Sequence, residues 1–155
     1  MNCTIVFLKE QKYMGIKTKI LFKDHNETDF HQLHLDVLDS DIRNIDVSER
    51  FMALDSDFQT DSFSYTPLVP VTSFEEDGYF KFTRMEGEYY CFPVQVKELG
   101  PKWFQDCSEY IKQNCLKVDR EFDLEYYAED YFDTVRSKNS NLADQTIQLI
   151  FRKLD

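Results

Sequence analysis

The spacing of apolar residues along the chain changes several times, and each change marks a new element. Alternation of apolar and polar residues predicts strands, whereas apolar residues at intervals of three and four predict helices. Strands are predicted at 3–8, 13–22, 51–58, 63–71, 79–85, 88–96, 122–131 and 146–154, the second continuing the first through a bend. Helices are predicted at 29–45, capped by Thr28, and at 101–114, where Pro101 takes the first helical position. A loop is predicted at 137–145.

Pro67 and Pro70 interrupt the strand predicted at 63–71. Proline has no amide hydrogen to donate to a neighbouring strand, so it is largely confined to edge strands and bulges. The strand 63–71 is accordingly predicted at an edge of the sheet or at a bulge.

The order strand, helix, strand, strand occurs twice. The segment "KYMGIKTKI" aligns with "EYYCFPVQV" at an offset of 76 residues, "FMALDSD" with "LEYYAED" at 73, and "FSYTPLVPV" with "QTIQLIFRK" at 82. This repetition predicts an α+β fold of two fused βαββ units that share an antiparallel sheet with pseudo-twofold symmetry. The units, about 1–74 and 78–155, form a single domain, 1–155. A plain α+β sandwich without duplication is the alternative.

The stretch "FDLEYYAEDY", residues 122–131, has two different faces if it is a strand. One face carries apolar residues that suit a core. The other carries Glu125 and Tyr127, which are two positions apart and therefore point the same way. This second face is either a solvated surface or the wall of a binding site.

The chain carries a formal charge of −11, with a sequence pI near 4.7, and 15% of its residues are aromatic. A field of this sign repels nucleic-acid phosphates and anionic lipid, and it favours a cationic ligand or a basic protein partner. Acidic charge that serves only solubility explains the same composition.

The cysteines and the apolar runs predict a cellular compartment. Cys91 and Cys107 fall in apolar stretches, which suits buried thiols, and the four cysteines include no C-x-x-C pair. The first residues lack the parts of a signal peptide, and no apolar run approaches the roughly 18 residues of a membrane span. We therefore expect a cytoplasmic, thiol-reduced protein that does not bind membranes.

Familiar catalytic and metal motifs are missing from the sequence. It contains no G-x-S-x-G, no H-E-x-x-H and no glycine-rich phosphate loop. His31 and His34 share a predicted helix with Asp36, but a metal site needs a further converging ligand. We therefore predict a polar helix face with one histidine at the margin of the core, no metal site and no cofactor.

The run "GEYYCFPVQVKELGPKWFQDCSEYI", followed by "FDLEYYAEDY" and "TIQLIFRKL", resembles the second unit of the GyrI-like, or AraC-type, effector-binding domain. The resemblance covers nearly the whole chain, because "KYMGIKTKI" and "FSYTPLVPV" lie where the first unit has strands. Its specific motif is Glu-x-Tyr, here Glu125 and Tyr127. The sequence departs from the family in "VKELGP", which lacks a frequent histidine, and in having no helix-turn-helix or other DNA-binding domain.

The resemblance implies a curved sheet with two main helices and a groove that binds small, often cationic and aromatic molecules. Glu125 would meet the charge of the ligand, and Tyr127 and Trp103 would supply aromatic contacts. The other candidate rings are Tyr65, Phe82, Tyr90 and Phe92. We therefore expect a stand-alone module that binds a cationic or amphipathic aromatic ligand.

Two alternatives to ligand binding stay open. One is a hydrolase of reactive small molecules in which Glu125 activates water. The other is an acidic interaction protein, such as a gyrase inhibitor, with a basic protein partner. A homodimer is equally compatible with the sequence.

The charge predicts that the chain does not bind duplex DNA directly at physiological salt. DNA-binding proteins neutralise phosphates with lysine and arginine, and here acidic residues outnumber basic ones by 29 to 18. The fluorescence anisotropy of a labelled duplex should therefore stay flat as protein is added. A saturating rise at micromolar protein that weakens with added salt would refute this prediction.

Overall fold

The computed structural model describes residues 1–137 and 141–155. Within these residues, nine strands form one antiparallel sheet: β1 Thr4–Leu8, β2 Gln11–Gly15, β3 Thr18–Leu21, β4 Met52–Ser56, β5 Ser62–Val71, β6 Phe80–Arg84, β7 Gly87–Gln95, β8 Asp123–Tyr126 and β9 Thr146–Arg152. The α-helices are α1 Phe30–Leu38, α2 Pro101–Gln113 and the single turn α3 Tyr131–Thr134. Part of the loop predicted at 137–145, residues 138–140, lies outside the described residues.

The strand order is β1-β7-β9-β8-β4-β5-β2-β6, and β3 follows β2 along the same side of β5. The order is palindromic about the β8–β4 pair, so β7 corresponds to β2, β9 to β5, and β1 to β6. The predicted duplication and pseudo-twofold symmetry are therefore confirmed, because each half contributes the same elements in the same spatial order.

The strand registers test the three predicted offsets. The pair Met14–Val69 corresponds to Tyr90–Phe151, which confirms offsets of 76 and 82. The pair Ala53–Pro67 corresponds to Glu125–Leu149, so β4 and β8 are related by 72 residues, and the predicted 73 is wrong. The error matters because a shift of one residue moves every side chain to the other face of the sheet.

β1 does not continue into β2 within one half of the sheet. It pairs with β7 of the second half, and β6 in turn pairs with β2 of the first. Each βαββ unit is therefore preceded by a strand that joins the opposite unit. This exchange ties the two halves together at both ends of the sheet as well as at its centre.

The two longer helices cover the same face of the sheet. Phe92 and Val94 are two positions apart on β7 and therefore point to the same face. Phe92 packs in the cluster under α2, and Val94 packs in the cluster under α1. A third apolar cluster lies on the opposite face and includes Tyr13, Met52, Leu68, Leu124 and Ile150. Cys91 and Cys107 are both buried, as predicted. In the described part of the chain, no helix is long and apolar enough to cross a membrane.

The first helix is shorter than the predicted 29–45. α1 ends at Leu38, where the hydroxyl of Ser40 donates a hydrogen bond to the carbonyl of Val37 at 2.6 Å. Such local side-chain bonds compete with helical ones. Ile45 has helical spacing in the sequence, but it instead forms a bridge with Val71 of β5.

Two further boundaries differ from those predicted. Asp29, and not Thr28, caps α1, because its side chain accepts the backbone N–H of Gln32 at 3.0 Å. The strand predicted at 122–131 ends at Tyr126, and Tyr131 begins α3. α2 begins at Pro101, as predicted.

β5 is an interior strand with a continuous register to its neighbours on both sides, so the prediction that its prolines mark an edge or a bulge is wrong. Pro67 lies opposite the break between β2 and β3, which pair with β5 at Gly15–Leu68 and Thr18–Tyr65. Pro70 lies beyond the last pair that β5 makes with β4. Each proline thus occupies a position where one neighbouring strand is interrupted or has ended, which is why an interior strand tolerates both.

The close approach of β2 to Pro67 predicts that Gly15→Ala destabilises the protein. An added Cβ would lie 2.0 Å from the carbonyl oxygen of Pro67, which is backbone and cannot rotate away. We expect a loss of about 2–4 kcal/mol in urea unfolding. Gly100→Ala is the control, because a Cβ there meets nothing within 4 Å, and its cost should stay below about 1 kcal/mol. Equal losses for the two variants would contradict the packing argument.

Candidate ligand-binding site

Glu125 lies near the middle of the sheet on the face that the helices cover. It faces Ala53 of β4 on one side and Leu149 of β9 on the other. The residue is only 4% exposed, and its neighbour Tyr127 is 1% exposed. Both faces of β8 are therefore buried, since Leu124 packs in the apolar cluster on the opposite side. The face that carries Glu125 is not a solvated surface.

Asp55 forms a buried acid pair with Glu125. It lies two residues beyond Ala53 on β4, which makes it a diagonal neighbour of Glu125 on the same face. Burial raises the pKa of Asp55 well above its usual range, and the charge of Glu125 raises it further. Burial also raises the pKa of Glu125, although hydrogen bonds from Asp55 and Tyr127 oppose this. Burial and the repulsion between the two charges therefore favour a form of the pair that keeps one shared proton over a form with both carboxyl groups ionised.

Asp123 extends the acidic row. It lies directly opposite Asp55 across the β4–β8 ladder. Burial raises its pKa to about 6, Arg120 lowers it, and the charge of Glu125 raises it. The site therefore includes one carboxyl group, that of Asp123, with a pKa close to neutral pH.

A chain of hydrogen bonds leads from Glu125 to the helices. The hydroxyl of Tyr127 donates to Oε1 of Glu125 at 3.2 Å, and a side-chain hydrogen bond links Tyr127 to Tyr65 of β5. The Tyr65 hydroxyl lies 2.5 Å from Nε2 of His34, and the Tyr131 hydroxyl lies 2.6 Å from Nδ1 of the same ring. The acid pair is thus connected to both α1 and α3.

His34 lies inside the core, and not at its margin as predicted. It is fully buried, and burial together with His31 lowers its pKa to about 3. The ring is therefore neutral, with one nitrogen that donates and one that accepts. At least one of its two tyrosine partners must donate a hydroxyl proton to it. His34 consequently serves as a neutral link in the chain and not as a cation that would balance the acid pair.

Aromatic rings surround this chain. The ring centroids of Tyr127 and Tyr131 are 4.7 Å apart, and Phe51 lies 5.3 Å from Tyr127 and 4.8 Å from His34. Phe30 of α1 lies 4.8 Å from Tyr65. The acid pair therefore lies beside a wall of stacked and edge-on rings that joins the sheet to α1 and α3.

Among solved structures, three with similar folds span nearly the whole chain. SAV2435 bound to tetraphenylphosphonium has a TM-score of 0.61 at 14% identity, over 99% of this chain and 94% of that one. The C-terminal domain of EcmrR has a TM-score of 0.64 at 9% identity, over 99% and 98%. The chain has the GyrI-like fold. A hydrolase from Listeria innocua has a TM-score of 0.54 at 10% identity, over 98% and 91%. No family model and no curated protein matches the sequence.

The GyrI-like fold brings together three of the seven predicted site residues. Glu125, Tyr127 and Tyr65 belong to one hydrogen-bonded cluster. Trp103 is half-buried on α2 and packs against the clusters under both helices. It therefore lies at the junction of the two halves and not in the cluster itself.

The remaining predicted rings lie farther from the acid pair of this GyrI-like fold. Phe92 and Tyr90 face the same side of the sheet as Glu125, but they pack under α2. Phe82 is on the opposite face, where its ring lies 5.3 Å from that of Phe122. The ring of Phe82 therefore lies away from the acid pair, because Phe82 points to the same face as Tyr13, its partner in the β2–β6 ladder.

Sequence reasoning missed Asp55, His34 and Tyr131 as members of the cluster. Asp55 was placed where a strand ended in an acidic turn, and Tyr131 at the end of a strand. A correct offset of 72 would have put Asp55 on the face of Glu125. In the residues that the structure describes, no group of three histidine, cysteine or acidic side chains is placed to hold a metal ion.

The buried acid pair predicts that Asp55→Asn stabilises the protein increasingly as the pH rises. A carboxyl whose pKa is raised by folding contributes stability below the unfolded pKa, near 3.8, and loses it as the pH rises through the folded pKa. Asparagine does not titrate. Urea unfolding should therefore show similar stabilities at pH 4 and an advantage of about 1 kcal/mol or more for the variant at pH 8.

Asp41→Asn is the control for this comparison. Asp41 is exposed, and its replacement by asparagine removes the same formal charge as Asp55→Asn does. Its difference from the wild type should not vary with pH. A difference for Asp55→Asn that is equally independent of pH would show that Asp55 is ionised in the folded protein.

Proposed function

We propose that this chain binds lipophilic organic cations between the sheet and its helices, with Glu125 as the charge partner. The observation that supports this most is a buried acid pair, Asp55 and Glu125, beside a wall of aromatic rings. The fold is shared with SAV2435, a protein solved with tetraphenylphosphonium.

The charge balance of the two sheet faces supports a cationic ligand at Glu125. On the opposite face, the buried Arg84 is neutralised by Glu49 at 3.1 Å. Among the described residues, no lysine or arginine forms a salt bridge with Asp55 or Glu125. A buried carboxylate without a counter-ion is costly, and a ligand cation would offset that cost.

The aromatic wall favours a lipophilic cation over a strongly hydrated one. Such a cation is weakly hydrated, so it loses little on leaving water, and each ring face adds about 0.5–2 kcal/mol of cation–π attraction. Tyr127, which donates a hydrogen bond to Glu125, packs against the rings of Tyr131 and Phe51 and so joins the acid pair to this wall.

Access requires part of the cover to move, because Glu125 is 4% exposed. α3 is a single turn that covers the cluster through Tyr131 and Phe132, and its backbone hydrogen bonds are local, such as that from the N–H of Val135 to the carbonyl of Tyr131 at 2.9 Å. A single turn with local backbone bonds opens at lower cost than a strand inside the sheet. We therefore infer that α3 moves when the ligand enters.

A hydrolase is the second candidate. It is favoured by carboxyl groups with raised pKa values beside a chain of hydroxyl groups, which suits the transfer of protons to and from water. A hydrolase from Listeria innocua has a similar fold. Ligand recovered unchanged after prolonged incubation would favour binding alone, whereas turnover lost in Glu125→Gln would favour hydrolysis.

The charge role of Glu125 predicts that Glu125→Gln weakens cations selectively. The change keeps the side-chain shape and removes the charge, so tetraphenylphosphonium should bind about 1–3 kcal/mol more weakly, while the neutral triphenylphosphine oxide should be nearly unaffected. Calorimetry gives both affinities. In a thermal-shift screen, a ligand at 100 times its dissociation constant should stabilise the wild type by about 2.7 kcal/mol.

Glu109→Gln is the matched control, since it removes an exposed carboxylate from α2 and changes the net charge equally. It should bind tetraphenylphosphonium as the wild type does. Equal losses for the cation and the neutral compound in Glu125→Gln would show that Glu125 shapes the site without recognising charge. Binding of neither compound to the wild type would contradict the proposed function itself.

A further inference from the structure

β1 is an open edge of the sheet with an unusual surface. It pairs with β7 on one side only, and it lies at the end of the strand order. Its sequence, "TIVFL", has no charged residue, and Ile5, Val6 and Phe7 are 51%, 36% and 61% exposed. An unprotected apolar edge presents free backbone donors and acceptors to any strand that can pair with it.

The pseudo-twofold provides an internal comparison, because β6 is the equivalent edge of the other half. At the offset of 76, Lys81 and Thr83 of β6 correspond to Ile5 and Phe7 of β1. A lysine on an edge strand opposes pairing with a second chain, because it cannot be buried in the added ladder. The same fold therefore protects one of its two edges and leaves the other apolar.

The pattern of β1 suits a second copy of itself. In an antiparallel pair centred on Val6, all five residues of each β1 find a partner. Ile5 of one copy then lies opposite Phe7 of the other on one face, an aromatic and β-branched pair of the kind that stabilises sheets. On the other face Val6 meets Val6 and Thr4 meets Leu8.

Electrostatics favour the same contact. Two chains of charge −11 repel each other over most of their surfaces, and a charge-free strand lets them approach without bringing carboxylates together. A groove of about 600 Å³ next to β1 is lined by Val6 and Leu8 and by the ion pair of Arg50 and Glu129. A surface that carries both signs of charge beside apolar residues can complement its own copy across a twofold axis.

We propose that two copies of the chain associate through antiparallel pairing of their β1 strands about a twofold axis at Val6, which joins their sheets into one. The contact is isologous and closes at two copies. Pairing of β1 with β6 of another copy would instead be head-to-tail and would continue into fibres, and Lys81 opposes it. This proposal does not depend on the ligand-binding function.

Sedimentation and light scattering across a range of concentrations test the association. The wild type should be a dimer that dissociates on dilution. The double change Ile5→Lys and Phe7→Thr gives β1 the residues of β6, and it should raise the dimer dissociation constant at least about 100-fold. Thr83→Lys on β6 is the control and should leave the dimer intact. Since Ile5 and Phe7 are largely exposed, the thermal midpoint of the double variant should stay near that of the wild type.

Cross-linking tests the register without relying on the double variant. In a background with Cys3→Ser and Cys115→Ser, Val6→Cys should form a disulfide-linked dimer under mild oxidation, because the two Val6 positions face each other. Phe7→Cys should cross-link much less, since it faces Ile5 of the second copy. A monomeric wild type, oligomers that grow beyond a dimer, or an undiminished dimer of the double variant would overturn the proposal, as would preferential cross-linking of Phe7→Cys.

Discussion

The antiparallel ladder between β4 and β8 joins the two halves at the centre of the sheet and determines where the chemically important side chains lie. It pairs Ala53 with Glu125 and Asp55 with Asp123. Because side chains alternate along a strand, this register places all three carboxyl groups on the helix-covered face. The apolar Leu124 is directed to the other face, where it packs in a separate cluster. A shift of one residue would bury the carboxyl groups among Tyr13, Leu68 and Ile150 and turn the apolar set to the helix-covered face.

Buried charges are balanced in different ways on the two faces of the sheet. On the face without helices, Arg84 is 1% exposed, but its guanidinium donates to Glu49, Tyr13 and the carbonyl of Lys9. Burial would raise the pKa of Glu49, yet the hydrogen bonds from Arg50 and Tyr126 and the charge of Arg84 hold it below its usual value. The charge of Arg84 is therefore balanced by Glu49 within the protein, although its buried Nε has no hydrogen-bond partner among residues 1–137 and 141–155.

On the helix-covered face, the acid pair is balanced only by a shared proton and by hydroxyl groups. Tyr127 donates to Glu125, and the chain continues through Tyr65 to the neutral His34. Hydrogen bonds of this kind satisfy a carboxylate, but they leave its net charge in a medium of low dielectric constant. The difference between the two faces is therefore one of charge compensation, and it is the helix-covered face that lacks a cation.

Much of this architecture could be predicted from the sequence, because it depends on local pattern. The strands and α2 with its initial proline follow from spacing within about ten residues, and the Glu-x-Tyr motif follows from the resemblance to the GyrI-like family. The exchange of β1 and β6 could not be predicted, because each strand pairs with a segment of the opposite half that is 65 to 87 positions away. The end of α1 was missed for a different reason, since Ile45 keeps helical spacing while it bonds to β5.

The candidate site could be predicted less completely than the fold, because it combines residues from β4, β5, β8, α1 and α3. Their own spacing placed Glu125 and Tyr127 on one face of a strand, and the resemblance to the GyrI-like family then marked that face as a binding site. Asp55 and His34 enter the site only through the register of other elements, and an error of one residue in the β4–β8 offset was enough to hide Asp55. The face of a strand is thus the least secure part of a prediction and also the part on which a site depends most.

The pseudo-twofold explains why the centre of the sheet can hold an acid pair at all. The offset of 72 makes Ala53 the equivalent of Glu125 and Asp55 the equivalent of Tyr127. A symmetric chain would place two glutamates directly opposite each other, and both could not ionise. With alanine at one of these positions, Glu125 has room beside it, and the equivalent pair Asp55 and Tyr127 approaches it from two sides as hydrogen-bond donors. The arrangement of the strands is symmetric, but the residues at its centre are not. One acidic side chain, and not two, therefore lies at the axis where the halves and their helices meet.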